Sequence, residues 1–251
     1  MYAPIELAIS LIFILLAIFF PYQGPALYAQ ANFKSLHVQY AKWELFAFVP
    51  LFTYIILIAY FSGNFYSWLF VHTQVKDASL FQYYPADVAW YAFSSIFAFG
   101  LVSIPMELTY RFLLKERYEE YIAYTNMKHG FNGHKIIRPL SILLITVSSV
   151  LLFFGFKYSV KVFQKNIVFN PFLSFEVKTQ NISAISSIYF VEMVKHKKGN
   201  MQKPHYYVKF SDGSFWNTNE EMGITKDEDK VMEYLSAQAK VKIDTSTFDP
   251  D

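Results

Sequence analysis

Hydrophobic residues are concentrated in four blocks along the chain, and polar residues fill the stretches between them. The blocks cover residues 5–20, 45–61, 88–106 and 139–156, so each holds about 16–19 residues. That length is near the lower limit of roughly 17–25 residues for a membrane-spanning helix. A cleaved signal peptide is the alternative for the first block, but its leading residues carry no Lys or Arg. The pattern therefore predicts an α-helical membrane bundle of four transmembrane helices.

Helical periodicity continues after the third block. Pro50 inside the second block predicts a kink there, and past Pro105 the residues 107–129 predict one amphipathic helix that stops at Gly130. Its apolar-aromatic stripe consists of Tyr110, Leu114, Tyr118, Tyr121, Ile122 and Thr125. Two placements stay open: the helix lies on an anionic leaflet, or it packs against another subunit or the soluble part.

From Tyr158 onward the apolar residues alternate with polar ones, which predicts strands. The predicted strands cover residues 158–164, 167–170, 173–179, 188–195, 206–210 and 214–217. A helix near 225–238 follows them, with its buried face formed by Val231, Tyr234 and Leu235. The sequence thus predicts two domains, a transmembrane domain at 1–157 and a soluble domain at 158–251.

The soluble part resembles the pleckstrin-homology-like (PH-like) domains of small bacterial membrane proteins. The resemblance rests on three pieces, residues 166–169, 181–185 and 239–244, and on the order of strands before one closing helix. Asn181 stands where that family often has an acid. The resemblance implies a mainly-β (α+β) barrel closed by one helix, with lipid head groups, peptides or protein domains as partners. It also implies the inner (cytoplasmic) membrane of a bacterium, and such domains more often face the cytoplasm.

Basic residues differ sharply between the loops. The loop at 107–138 carries six Lys or Arg residues and the loop at 62–87 carries only Lys76. Because cytoplasmic loops are enriched in Lys and Arg, this contrast places 107–138 inside and the C-terminal domain on the non-cytoplasmic side. Three lysines that follow the last block, Lys157, Lys161 and Lys165, favour the opposite orientation.

Composition and motifs argue against several function classes. A net charge of +2 gives no basic field for nucleic acid, and the absence of cysteine excludes disulfides and thiolate metal sites. The sequence contains no phosphate-binding loop, nucleophile elbow, dinucleotide fingerprint or zinc-protease motif. Two histidines, His129 and His134, flank a glycine-containing connector but lack a third ligand. We therefore expect a protein that is not an enzyme and that uses no cofactor.

The leading hypothesis is a multi-pass membrane protein that contacts the lipid bilayer and binds a protein or lipid partner through its PH-like domain. Self-association is part of this hypothesis, and the roles it covers are sensing, scaffolding, envelope homeostasis and toxin immunity. A small oligomeric channel or transporter, with the soluble domain as gate or collar, is the alternative. Ser94, Ser95 and Ser103 are the only hint of a polar stripe for it. The candidate partner or lipid surface comprises Arg111, Lys115, Arg117, Tyr118, Tyr121, Phe215 and Trp216.

Overall fold

A computed structural model describes residues 14–22, 33–74, 77–195, 200–219, 222–225 and 227–250. The chain forms two compact units. The helical unit takes its described residues from 1–65 and 91–150, and the sheet unit takes them from 66–90 and 151–251. The predicted domain boundary at residue 158 stays a prediction, while the sheet unit also includes a segment from between the second and third hydrophobic blocks.

The described helices that begin at Phe48, Asp87 and Gly133 follow the second, third and fourth hydrophobic blocks, whereas Phe33–Phe46 lies almost entirely in the loop before the second block. In chain order the described helices are α1 (Phe33–Phe46), α2 (Phe48–Thr73), α3 (Asp87–Leu101), α4 (Ser103–Leu114), α5 (Tyr118–His129), α6 (Gly133–Lys157) and α7 (Glu228–Ala239). A 3₁₀ turn at Lys115–Arg117 joins α4 to α5. Residues 14–19 are also helical and stop just before Pro21.

Two stretches of the described chain are long and apolar enough to cross a membrane. They are Phe33–Thr73, which contains α1 and α2, and Gly133–Lys157, which is α6. A third is available if the segment Asp87–Leu101 and the segment Ser103–His129, bent by 42° between them, make one span. These stretches agree with a membrane protein. The first block lies mostly outside the described residues, so the predicted four transmembrane helices remain a prediction.

Two prolines set two of the helix ends. α1 ends at Phe46, four residues before Pro50, and α3 ends at Leu101, four residues before Pro105. A proline ring clashes with the carbonyl four residues earlier and cannot donate a hydrogen bond to it. The same local rule therefore accounts for both interruptions, and the kink predicted from Pro50 is present as a break at Ala47.

Residues 107–129 do not form the single helix that the stripe predicted. Lys115 has φ 50° and ends α4, and the chain turns back through the 3₁₀ turn into α5. The rings of Tyr110 and Tyr121 stack 5.1 Å apart, whereas eleven residues of one helix would separate their backbones by about 16 Å. The segment is a helical hairpin. A stripe of apolar positions cannot reveal such a reversal, because both arms bury the same kind of face.

The described residues of the sheet unit form nine strands. They are β1 (Phe81–Pro85), β2 (Ser159–Val162), β3 (Asn166–Asn170), β4 (Lys178–Asn181), β5 (Ile185–Val194), β6 (Met201–Phe210), β7 (Phe215–Asn217), β8 (Gly223–Ile224) and β9 (Ile243–Ser246). One sheet has the order β4-β3-β2-β1-β8 and the other has β7-β6-β5-β9. All described pairings are antiparallel except that of β5 with β9.

The most distant strand in sequence is β1, which pairs with β2 so that Gln82 lies opposite Lys161. Its Tyr83 is buried in the core with residues of both sheets and of α7. That core is mainly aliphatic and comprises, among others, Val160, Val162, Ile167, Ile188, Val208, Val231, Met232 and Leu235.

One predicted strand is wrong in extent. Residues 174–177 have no strand pairing, and β4 begins only at Lys178. Leu173 has φ 58°, a left-handed conformation that is uncommon outside glycine, and this breaks the extended backbone after Pro171. The alternating letters of residues 173–177 therefore describe a loop, not two faces of a strand.

Candidate functional site

The helical unit is held together by a core rich in tyrosine. This tyrosine core comprises Leu36, Tyr40, Tyr110, Leu114, Tyr118, Tyr121 and Tyr124. Its members come from α1 and from both arms of the α4–α5 hairpin, so the predicted amphipathic segment packs on a helix of the same chain. Four of the six stripe residues are buried in this core, namely Tyr110, Leu114, Tyr118 and Tyr121.

Polar atoms within this core are partnered across the helices. The Tyr40 hydroxyl donates to Glu120 at 2.7 Å, the Tyr110 hydroxyl donates to the Trp43 carbonyl at 2.6 Å, and Tyr124 bonds with His37 at 2.8 Å. A hydroxyl buried without a partner would cost about 1–3 kcal/mol. These bonds fix the hairpin on α1 and so give the cleft described next one rigid wall.

A chamber of about 420 Å³ lies between the hairpin and α6. Its lining is mostly apolar, with Leu51, Val102, Met106, Ile122, Ile137 and Leu140 among the residues. Ile137 and Leu140 are also exposed on the outside of α6, so the chamber has an apolar rim. Its volume falls within the roughly 300–1,000 Å³ typical of small-molecule sites.

A second cavity of about 740 Å³ adjoins the chamber and is the more polar of the two. Both cavities are lined by Glu107, Tyr118, Ile122, Asn126, His134 and Arg138. The second cavity adds Arg111, Glu119, Asn132 and Lys135. We call the two together the cleft, the apolar part being the chamber and the polar part the mouth.

The charges of the mouth are unevenly paired. Arg111 is engaged by two acids, since its Nε lies 2.9 Å from Glu107 and its Nη2 lies 3.7 Å from Glu119. Its guanidinium also lies 4.7 Å from the centre of the Tyr118 ring. Within the described residues, Lys135 and Arg138 take part in no ion pair, so the mouth offers two cations for an anion.

The N-terminal end of α6 adds to this positive field. Gly130 ends α5 with φ 77°, as its position after His129 predicted, and the chain re-enters a helix at Gly133. The Asn132 side chain accepts from the Lys135 amide at 3.3 Å, and the Asn126 side chain accepts from the Gly133 amide at 2.9 Å. The His129–His134 connector is thus an ordered helix cap, and the positive end of the helix dipole there favours negative charge nearby.

The structure distributes the predicted surface residues over several places. Arg111, Tyr118 and Tyr121 belong to the cleft, with the two tyrosines forming its inner wall. Lys115 lies exposed at the hairpin turn, and Arg117 lines a separate cavity of about 280 Å³ beside Lys42 and Trp43. The five residues predicted from this loop are therefore not one continuous surface.

Phe215 and Trp216 lie in the sheet unit and differ from each other. Phe215 is 55% exposed, whereas Trp216 is 2% exposed and packs edge-on against Tyr83 and Phe169 at ring distances of 5.2 and 5.5 Å. Successive residues of a strand point to opposite faces, so only one of the pair can reach a partner. Trp216 is a core residue, which corrects its predicted place on a surface.

His134, Lys135 and Arg138 were missed as site residues, although Lys135 and Arg138 had entered the charge count of their loop. The signal that would have found them is their spacing: positions 134, 135 and 138 fall on neighbouring faces of a helix that starts at Gly133. Of the three serines that hinted at a polar stripe, Ser103 has its hydroxyl 3.3 Å from that of Ser141. Ser94 is buried without a hydrogen-bond partner, and Ser95 bonds to the carbonyl of Tyr91.

The cleft can hold a molecule with an apolar body and an anionic end. Among the described residues no cluster of three or more His, Cys, Asp or Glu side chains is arranged for a metal ion. No protein-family model matches the chain, and no curated protein matches it.

Proposed function

We propose that this chain is a non-enzymatic integral membrane protein that binds an anionic amphiphile, such as an acidic phospholipid, in the cleft of its helical unit. The observation that carries the proposal is that an apolar chamber and a mouth with two available cations share six lining residues. The chamber suits an acyl chain, and Lys135 and Arg138 suit a phosphate or carboxylate. Basic pockets between transmembrane helices are a recognised kind of lipid head-group site.

Strand pairing supports the chain order of a four-span protein. Because β1 pairs with β2, residues 81–85 and 159–162 must lie on one side of the membrane. An even number of crossings must then separate them, which α3 with α4 and α6 would supply. On the other side, Pro21 forms a bridge with Phe131, so the end of the first block lies beside the α5–α6 connector.

The orientation proposed from loop charge fits the same cleft. With loop 107–138 in the cytoplasm, the mouth faces the leaflet that carries most anionic lipid. Of the three lysines that favoured the opposite orientation, Lys161 is paired with Asp77. Lys157 lies 4.8 Å from the centre of the Phe175 ring. Lys161 and Lys157 are therefore weaker evidence for a cytoplasmic C-terminal domain than unpaired lysines would be.

We also propose that the sheet unit is PH-like, with an unusual first strand. Four strands in one antiparallel series, β1 to β4, precede three in a second series, β5 to β7, and α7 follows them. In this interpretation the first strand is supplied by residues 81–85 rather than by the C-terminal segment.

The decisive experiment measures lipid-dependent stability of the full-length protein in detergent. Phosphatidylglycerol should raise the melting temperature of the wild type more than phosphatidylcholine does. The double variant Lys135→Gln/Arg138→Gln should lose that difference. The control Lys115→Gln/Arg117→Gln also removes two positive charges, but from the hairpin turn. It should keep the difference between the two lipids.

A second variant separates the chamber from the charges. Ile122 lines both cavities, so Ile122→Trp should fill the passage without altering charge and reduce retention of phosphatidylglycerol in native mass spectrometry. If both double variants lose the lipid preference equally, the binding is a general attraction to a basic surface and the cleft proposal is wrong. If neither responds, anionic lipid does not bind at the mouth.

A further inference from the structure

The loop between β3 and β4 is apolar and exposed. Leu173, Phe175 and Val177 are 57%, 71% and 56% exposed, although all three are large hydrophobic side chains. The left-handed backbone at Leu173 breaks the extended conformation that would have placed all three on one face of a strand. Residues 171–177 contain one charged side chain, Glu176. A water-facing loop of this composition would be costly.

The tip of this loop lies against the end of α6. The Phe175 ring lies 5.1 Å from the ring of Phe154 and 6.3 Å from that of Phe153. The Lys157 ammonium lies 4.8 Å from the Phe175 ring centre, and 3.5 Å from the Phe175 carbonyl. The loop is therefore positioned at the last turn of a helix that is itself apolar enough to span a membrane.

The exposed apolar surface continues from the helix onto the loop. Phe153 and Val150 on α6 are exposed, as expected of side chains that face lipid. The adjoining Phe175 extends that surface by one more aromatic ring, next to the terminal lysine. Aromatic rings and a lysine at a helix end are the usual composition of the membrane–water interface.

We propose that residues 171–177 insert into the interfacial layer of the membrane that α6 crosses, with Leu173, Phe175 and Val177 among the lipid and Glu176 directed to water. The partner is the bilayer itself, and the insertion fixes the sheet unit against it at a point other than the helices. This inference depends on α6 being a span and not on the cleft, so it stands or falls separately from amphiphile binding.

The absence of cysteine from the sequence makes a direct test possible in the full-length chain. The variants Phe175→Cys and Val177→Cys carry an environment-sensitive fluorophore, and Ser211→Cys, on the exposed β6–β7 turn, is the control. Each is reconstituted in phosphatidylcholine–phosphatidylglycerol vesicles, and vesicles with and without a spin label near the lipid head group are compared. Iodide in the buffer reports exposure to water. Val177→Cys retains Phe175, so it guards against an effect of losing that ring.

At positions 175 and 177 we expect bluer emission, strong quenching by the spin-labelled lipid and iodide quenching several-fold weaker than at 211. Equal iodide quenching at all three positions would show that the loop lies in water and would overturn the proposal. Protection from iodide without quenching by the lipid label would overturn it as well, because protein and not lipid would then cover the loop.

Discussion

The helical unit and the sheet unit differ in how the polar atoms of their buried aromatic side chains are partnered. In the helical unit five tyrosines share one core, and the hydroxyls of Tyr40, Tyr110 and Tyr124 reach partners on another helix. In the sheet unit Tyr83 is 1% exposed and its hydroxyl has no partner among the described residues. The first core is organised by hydrogen bonds from tyrosine hydroxyls to groups on other helices. The second core combines bonded tyrosines, since the Tyr206 hydroxyl donates to Asp229 and the Tyr158 hydroxyl accepts from the Gly223 amide, with Tyr83, whose hydroxyl is held by packing alone among the described residues.

This difference follows from what each unit has to join. The helical unit must fix three separate helical segments where hydrophobic burial gives little specificity, and directional hydrogen bonds supply it. The sheet unit already joins its strands through backbone pairing, so its core holds Tyr83 and Trp216 by packing even though their polar side-chain atoms have no partner among the described residues. Tyr40 therefore connects two helices through its hydroxyl, whereas Tyr83 serves as a bulky hydrophobic residue.

The largest effect is expected from Trp216→Ala. Removing a side chain packed between Tyr83 and Phe169 should lower the stability of the sheet unit by about 3–5 kcal/mol, because the loss includes both buried area and a cavity. The neighbouring Phe215→Ala should cost well under half as much, since that ring is half exposed. Chemical denaturation, monitored by the susceptibility of the sheet unit to proteolysis, measures the stability loss of each variant. Equal losses would mean that packing is not what distinguishes this core.

A designed disulfide tests the pairing that brings β1 into the sheet. Gln82→Cys/Lys161→Cys places two cysteines at opposed positions, where backbones in antiparallel strands lie about 4.5–5.5 Å apart. Closing a loop of about 80 residues should stabilise the sheet unit by up to about 4 kcal/mol. The pair Gln82→Cys/Lys165→Cys is the control and should stay reduced. If the Gln82→Cys/Lys161→Cys pair fails to oxidise, the pairing of β1 with β2 is wrong.

Sequence alone predicted the helices far better than the strand partners. Hydrophobic blocks located α2, α3 and α6, and two prolines explain where α1 and α3 end, because each of these signals is local. Residues 81–85 show no sustained alternation of apolar and polar residues, and their partner strand lies nearly eighty residues away. A pairing of that kind depends on the folded neighbourhood and leaves no period in the sequence.

The candidate site was only partly predictable for the same reason. Arg111, Tyr118 and Tyr121 were found because a stripe with basic flanks marks a helix surface. Lys135 and Arg138 belong to the site only because the hairpin lies opposite them. The hairpin in turn depends on the positive φ of Lys115. Trp216 was misplaced because a short strand of three residues gives no alternation long enough to separate its faces.

Replacing one tyrosine by phenylalanine in each core should give effects of intermediate size, and these effects should differ between the two cores. Tyr40→Phe should destabilise the helical unit by about 1–2 kcal/mol, because Glu120 loses a hydrogen bond at 2.7 Å. Tyr83→Phe should be neutral or stabilising, because it removes a buried hydroxyl that no described group partners. Melting temperatures of the two variants in the same detergent give the contrast. A larger loss for Tyr83→Phe would show that its hydroxyl is bonded through water.

The smallest effect concerns an ion pair at the edge of the sheet unit, where polar bonds again supplement packing. Lys161 Nζ lies 2.5 Å from Asp77, and the Ser79 amide donates to the same carboxylate at 3.1 Å. The hydrogen bond from Lys161, with those from Ser79, holds the pKa of Asp77 well below its usual range. A carboxylate whose pKa is lowered by folding stabilises the fold above the unfolded pKa, and that contribution disappears as the pH falls towards the folded value.

Asp77→Asn should therefore lower the melting temperature of the sheet unit slightly at pH 7, and the difference from wild type should shrink as the pH falls below about 4. Asp244→Asn is the control, because Asp244 is exposed on β9 and forms no ion pair among the described residues. It should show no such trend. A difference for Asp77→Asn that stays constant from pH 7 to acid would mean that the carboxylate acts through its shape and hydrogen bonds. The pair of Asp77 with Lys161 would then stabilise the edge of the sheet unit through shape and neutral hydrogen bonds rather than through charge.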